Sequence, residues 1–126
     1  MIFCCQEKYL TEANKGSILL QVMEEKVHDG LLFDFYGELL TEKQQQIYRD
    51  YAFEDLSLSE MADEFSMSRQ GISEMIHRVT KLLRGYEEKL GLLSEYQRIQ
   101  SLAKEIAASD DIDVCHSKAE EIIRQL

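Results

Sequence analysis

From residue 24 onward, apolar residues return at three- and four-residue spacing, the signature of helices with one buried face. Leu31, Leu32, Phe35, Tyr36, Leu39 and Leu40 form the first such row. Thr41 with Gln44 has capping-box spacing and predicts the start of a second helix, whose apolar side is Ile47, Tyr48, Tyr51 and Ala52. Ser57 with Glu60 repeats the signal for a short third helix bearing Leu58, Met61, Ala62 and Phe65. Ser66-Met67-Ser68 reads as a tight turn, and Ser68 caps a fourth helix. That helix carries Ile72, Met75, Ile76, Val79, Leu82, Leu83 and Tyr86, and runs to Leu90, where Gly91 ends it. Ser94 with Gln97 opens a fifth helix through Ile99, Leu102, Ala103 and Ile106. Ser109-Asp110-Asp111 punctuates, and a last amphipathic helix holds Val114, Ala119, Ile122, Ile123 and Leu126. No strand-like alternation or internal repeat interrupts the series. The pattern predicts an all-α bundle.

Residues 1–22 differ. They have zero net charge, weak periodicity and a flexible Lys15-Gly16-Ser17 step, and Met23 offers an alternative start. They are expected to be an upstream extension, either wrongly assigned to the protein or dispensable. The apolar head Met1-Ile2-Phe3-Cys4-Cys5 is too short for a signal peptide and is followed at once by charge. Residues 23–92 then form the main domain, and residues 93–126 supply C-terminal helices for dimerisation or partner contact. No apolar run reaches the roughly 20 residues that span a bilayer. The expectation is a soluble cytoplasmic protein without membrane insertion.

Residues 58–77 carry the most informative pattern. A helix-turn-helix needs a small residue inside its first helix, because the second helix crosses it closely; Ala62 fills that place. Met61, Phe65, Met67, Ile72 and Met75 stand where apolar residues lock the two helices together. The turn usually has Gly four residues after the small residue. Here it is Ser66, which must accept an unfavourable backbone conformation or change the turn.

Subtracting the core positions leaves the candidate nucleic-acid-binding face: Ser68, Arg69, Gln70, Ser73, Glu74, His77, Arg78, Lys81 and Arg84. Arg69 and Gln70 lie in the first turn, where recognition helices meet base edges. Arg reads guanine, Gln reads adenine, and Glu accepts from cytosine. Arg78, Lys81 and Arg84 suit phosphates. The alternative is a solvated face on a protein-binding three-helix unit, since the motif alone does not establish nucleic-acid binding.

The stretches from Leu40-Thr41-Glu42-Lys43-Gln44-Gln45 through Leu56-Ser57-Leu58-Ser59-Glu60-Met61-Ala62 to Ser68-Arg69-Gln70-Gly71-Ile72-Ser73 resemble the promoter-reading fourth region of bacterial sigma factors. The segment His77-Arg78-Val79-Thr80-Lys81-Leu82-Leu83 fits as well. Within that superfamily, residues 32–41 and Tyr86-Glu87-Glu88-Lys89-Leu90 resemble the YlxM family, small proteins of Gram-positive bacteria encoded beside signal-recognition-particle genes. The resemblance spans about residues 23–108. It implies a sigma-region-four-like helix-turn-helix bundle with extra terminal helices. It also implies a cytoplasmic protein that serves or regulates the signal recognition particle pathway, with no established catalytic activity. Two positions depart from the sigma-like pattern. Gly71 stands where a helix former is usual, and Glu74 puts a negative charge in the middle of the exposed stripe.

Candidate chemistry beyond binding is sparse. There is no GxxxxGK, GxGxxG or HExxH motif, so no enzyme activity and no cofactor is expected. Cys4, Cys5 and Cys115 lack metal-ligand spacing, and the Cys115-His116 neighbours point apart on a helix, so no metal is expected. His28-Asp29 reads as a surface pair. The tyrosines Tyr36, Tyr48, Tyr51, Tyr86 and Tyr96 read as core or interface aromatics, with RNA stacking as the alternative.

The formal net charge is −10, yet it is unevenly spread. Residues 65–85 hold four basic residues and one acidic, and they form the only basic segment. Acidic surroundings weaken loose binding and steer a polyanion to that face; equally, they suit a basic protein partner. Taken with the resemblance, the expected partners are DNA or signal recognition particle RNA, or the particle GTPase for a chain that keeps the fold without binding DNA. The apolar face of the first helix and those of the last two exceed what a three-helix unit needs, which predicts a homodimer.

Overall fold

The computed structural model describes residues 15–126, and side chains from residue 21 onward. Among the described residues six helices follow one another: α1 (Lys15–Tyr36), α2 (Glu42–Phe53), α3 (Leu58–Glu64), α4 (Arg69–Leu90), α5 (Leu92–Ala108) and α6 (Ile112–Gln125). A single 3-10 turn, Gly37–Leu39, separates α1 from α2. The expectation for residues 1–22 lies outside the described residues as far as position 14. From Lys15 the chain is already helical, nine residues ahead of the predicted onset at 24.

Local sequence sets most of the boundaries. Thr41 and Ser57 each form a complete capping box: the hydroxyl accepts from the backbone amide three residues on, and the side chain of Gln44 or Glu60 returns to the cap amide. Ser68 Oγ accepts from the Gly71 amide at 2.9 Å. Asp111 caps α6 by accepting from the Asp113 and Val114 amides. Gly91 ends α4 at φ 65°, a left-handed conformation that glycine adopts without the steric penalty of a Cβ.

Long α4 lies against α1, α2 and α3, and Leu32, Tyr36, Ile47, Tyr48, Met61, Ile72, Val79 and Leu83 close the core between them. Tyr48 is fully buried; its hydroxyl meets Thr80 Oγ1 at 3.0 Å, and burial pushes its pKa up to about 12. The aromatic reading of Tyr36 and Tyr48 as core residues holds. Helices α5 and α6 fold back antiparallel, tied by Arg98–Glu121 at 2.9 Å and Lys118–Glu105 at 2.8 Å. Leu93, 1% exposed, joins this hairpin to the main core.

Three expectations are corrected. The first apolar row assumed one helix through Leu40, but α1 stops at Tyr36 and the chain tightens into the 3-10 turn. Phe33, on the α1 face shared with Asp29 and Tyr36, is the buried ring, stacked on Tyr48 with centroids 5.6 Å apart, while Phe35 and Leu39 are exposed. The start of α5 is Leu92, not a box at Ser94 and Gln97. The Glu87 carboxylate does the capping instead, accepting from the Leu93 amide at 3.0 Å and the Ser94 amide at 2.9 Å. Finally, Asp29 is not in a surface pair with His28: it is buried and holds Arg84.

Candidate nucleic-acid interface

The geometry of the motif rests on α3, its turn and α4. Ala62 is 8% exposed where the helices cross, and Met61 and Ile72 are fully buried beside it. Phe65, Met67 and Met75 pack half-buried against this core. Ser66 adopts φ 51°, the left-handed conformation its position demanded. The Ser66 amide donates to the Asp63 carbonyl at 3.4 Å, and the Met67 amide to the Ala62 carbonyl at 2.9 Å. This pair of bonds is the Schellman arrangement, which satisfies two carbonyls at the end of α3 and turns the chain into α4.

Gly71 has a local explanation. A Cβ there would lie 3.0 Å from Ser68 Oγ and 3.4 Å from Met67 Cε. The departure from a helix former thus leaves room for the capping hydroxyl and for the apolar plug of the turn.

The predicted face divides into two parts. Ser68, Arg69, Gln70, Ser73, Glu74, His77, Arg78 and Lys81 are all exposed along α4. Among the described residues, Arg69, Arg78 and Lys81 engage no carboxylate. Gln70 Nε2 donates to Glu74 Oε1 at 3.2 Å. Arg84 does not share this freedom. Its guanidinium points back to α1, where Asp29 accepts two bonds from Nη2 and one from Nε. A residue spaced like a phosphate contact on α4 is therefore part of the α1–α4 joint. Its partner lies 55 residues away, so local spacing carried no signal of it.

A second polar joint went unread in the sequence. Tyr36 Oη donates to Glu87 Oε2 at 2.5 Å and accepts from the Leu92 amide at 3.1 Å. Burial raises the pKa of Glu87, but hydrogen bonds from Tyr36, Ser94 and Leu93 outweigh it and hold the carboxyl below its usual range. This joint fixes where the α5–α6 hairpin departs from α4.

Among the described residues, no three His, Cys, Asp or Glu side chains gather so as to hold a metal ion. No described helix is long and apolar enough to cross a membrane.

Comparison with known proteins agrees with this architecture. The UPF0122 protein of Symbiobacterium thermophilum is 48% identical over 81 residues, covering 64% of this chain and 76% of that protein. The counterpart in Listeria welshimeri is 50% identical over 78 residues, covering 62% and 71%. That of Shouchella clausii is 38% identical over 105 residues, covering 80% and 96%. A family model matches residues 23–123, and the chain belongs to that family, UPF0122, described as "Putative helix-turn-helix protein, YlxM / p13 like".

Proposed function

We propose that this chain is a nucleic-acid-binding regulatory protein that docks the N-terminal half of α4 on duplex DNA. The observation that carries the reading is the contrast along α4. Arg69, Arg78 and Lys81 stand exposed and engage no carboxylate among the described residues, whereas Arg84 is held by Asp29. Basic side chains left unspent on a rigid helix, just after a helix-turn-helix turn, suit phosphates and base edges. Duplex DNA is favoured over duplex RNA, because the narrow major groove of A-form RNA does not admit side chains to its bases. The resemblance to the YlxM family supports a regulatory role in the signal recognition particle pathway. It makes the particle RNA and the particle GTPase the competing partners, in a cytoplasmic protein with no enzyme activity.

The exposed apolar side chains Val22, Met23 and Val27 of α1, with Ile112, Val114 and Ile123 of α6, support the homodimer reading. Light scattering then gives twice the 14.7 kDa chain mass; a monomer at micromolar concentration removes the dimer from the proposal.

Electrophoretic mobility of labelled duplex DNA and particle RNA, beside co-sedimentation with the GTPase, tests the function. A DNA shift that Arg69→Glu with Arg78→Glu abolishes supports it. GTPase binding with neither nucleic acid shifted replaces it with the protein-interaction reading.

A further inference from the structure

We infer that Gln70 and Glu74 act as one reading unit, in which Glu74 fixes the Gln70 amide and the pair selects an adenine and a cytosine one or two base steps apart. The inference rests on the DNA-binding reading above and names the target of that face.

Glu74 has three polar neighbours at helical spacing, Gln70 four residues before it and His77 and Arg78 three and four residues after. An ion pair with Arg78 is the ordinary use for such a carboxylate. The structure gives it another: Gln70 Nε2 donates to Glu74 Oε1 at 3.2 Å, and Arg78 engages no carboxylate among the described residues. This leaves the Arg78 charge to a phosphate and turns Glu74 into a clamp on an amide.

The donors and acceptors that remain define what the pair can read. Gln70 keeps one Nε2 hydrogen and its carbonyl oxygen, a donor–acceptor set that matches N7 and the N6 amino group of adenine. Glu74 keeps its second oxygen, an acceptor that matches the N4 amino group of cytosine. Four residues advance about 6 Å along a helix, and successive bases lie about 3.4 Å apart, so the two contacts fall one or two steps apart. A free glutamine samples many rotamers; one held by its neighbour presents its amide in a fixed plane, and less ordering remains to be done on binding.

The same carboxylate works against loose binding. In a sequence-independent complex the face slides along phosphates, and Glu74 then meets like charge with no amino group to accept from. A cytosine in register relieves it. This accounts for a negative charge amid an otherwise basic stripe.

Selection from a random-sequence duplex pool tests the inference, using the full chain and its Gln70→Ala, Glu74→Ala and Glu74→Gln variants. The wild type enriches a site with an adenine and a cytosine within two steps, each favoured roughly 5- to 150-fold over its substitutes. Gln70→Ala loses the adenine preference and keeps the cytosine. Glu74→Ala loses the cytosine, weakens the adenine preference and binds unselected duplex more tightly than wild type. Glu74→Gln retains an acceptor for Gln70, so the adenine preference returns. Enriched duplex whose adenine preference is unchanged by Glu74→Ala overturns the inference alone. A pool from which the wild type retains no duplex at any sequence overturns the DNA-binding reading, and this inference with it.

Discussion

Asp29 grips the Arg84 guanidinium across 55 residues of chain: Nη2 lies 3.0 Å from Oδ1 and 3.2 Å from Oδ2, and Nε lies 3.2 Å from Oδ1. The Asp29 side chain is 9% exposed and that of Arg84 37%, so the pair is sheltered on the carboxylate side and wet on the other. It fastens α1 to α4. Removing either partner strands the other. Asp29→Ala and Arg84→Ala should each cost about 1–3 kcal/mol in urea denaturation, less than a fully buried pair because the guanidinium still reaches water.

The same pair separates scaffold from contact. Arg78→Ala should shallow the slope of log affinity for duplex DNA against log salt by about 0.9, the share of one phosphate. Arg84→Ala should leave that slope unchanged while lowering stability. Titrations between 50 and 200 mM salt, roughly the range where such slopes are read, check both.

Tyr36 and Glu87 make a pH-dependent joint. The Glu87 carboxyl is held below its usual range by hydrogen bonds that outweigh the effect of burial. A folded-state pKa below the unfolded value contributes stability that is full above the unfolded pKa, about 4.3, and is lost as pH falls through the folded one. Thermal melts from neutral pH down to about pH 3 should therefore show an acid limb that Glu87→Gln flattens in part. Tyr36→Phe should flatten it too and cost about 1–2 kcal/mol at neutral pH, because the Leu92 amide loses its acceptor.

The turn between α3 and α4 holds a serine at φ 51°. Ser66→Gly keeps both backbone bonds of the turn and relieves the left-handed conformation. It should stabilise by about 1 kcal/mol, roughly 3–6 °C in Tm, with DNA binding unchanged. At the other end of α4, Gly91→Ala should cost about 1–2 kcal/mol for the same reason reversed. Calorimetry of the two variants side by side checks both signs.

What the sequence revealed was local. Thr41, Ser57 and Ser68 announce their helices because a cap and its partner lie within four residues. Ser66 signalled either an unfavourable backbone conformation or a changed turn, and its φ of 51° is the first of these. What it hid was long-range. Asp29 read as a surface neighbour of His28, and Arg84 as a phosphate contact, because neither carries a trace of the other in its own helix. Phe33 was passed over because the apolar row was phased on Leu31 and Phe35, whereas the buried face of α1 runs through Asp29, Leu32, Phe33 and Tyr36, a phase set by packing against α2 and α4. Glu87 looked like one of many surface carboxylates until the preceding and following helices brought Tyr36 and the α5 amides to it. The seven exposed positions from Arg69 to Lys81 on the outer face of α4, by contrast, followed from subtraction along one helix. They needed no tertiary contact to find.

The proposed docking puts the N-terminal half of α4 on duplex DNA. Fluorescence anisotropy of a labelled duplex pool at low salt, with wild type beside Arg69→Glu/Arg78→Glu, tests it most directly. Saturable binding by the wild type, weakened roughly tenfold or more in the variant while both proteins melt alike, is the predicted result. Equal affinity in the two proteins would contradict it.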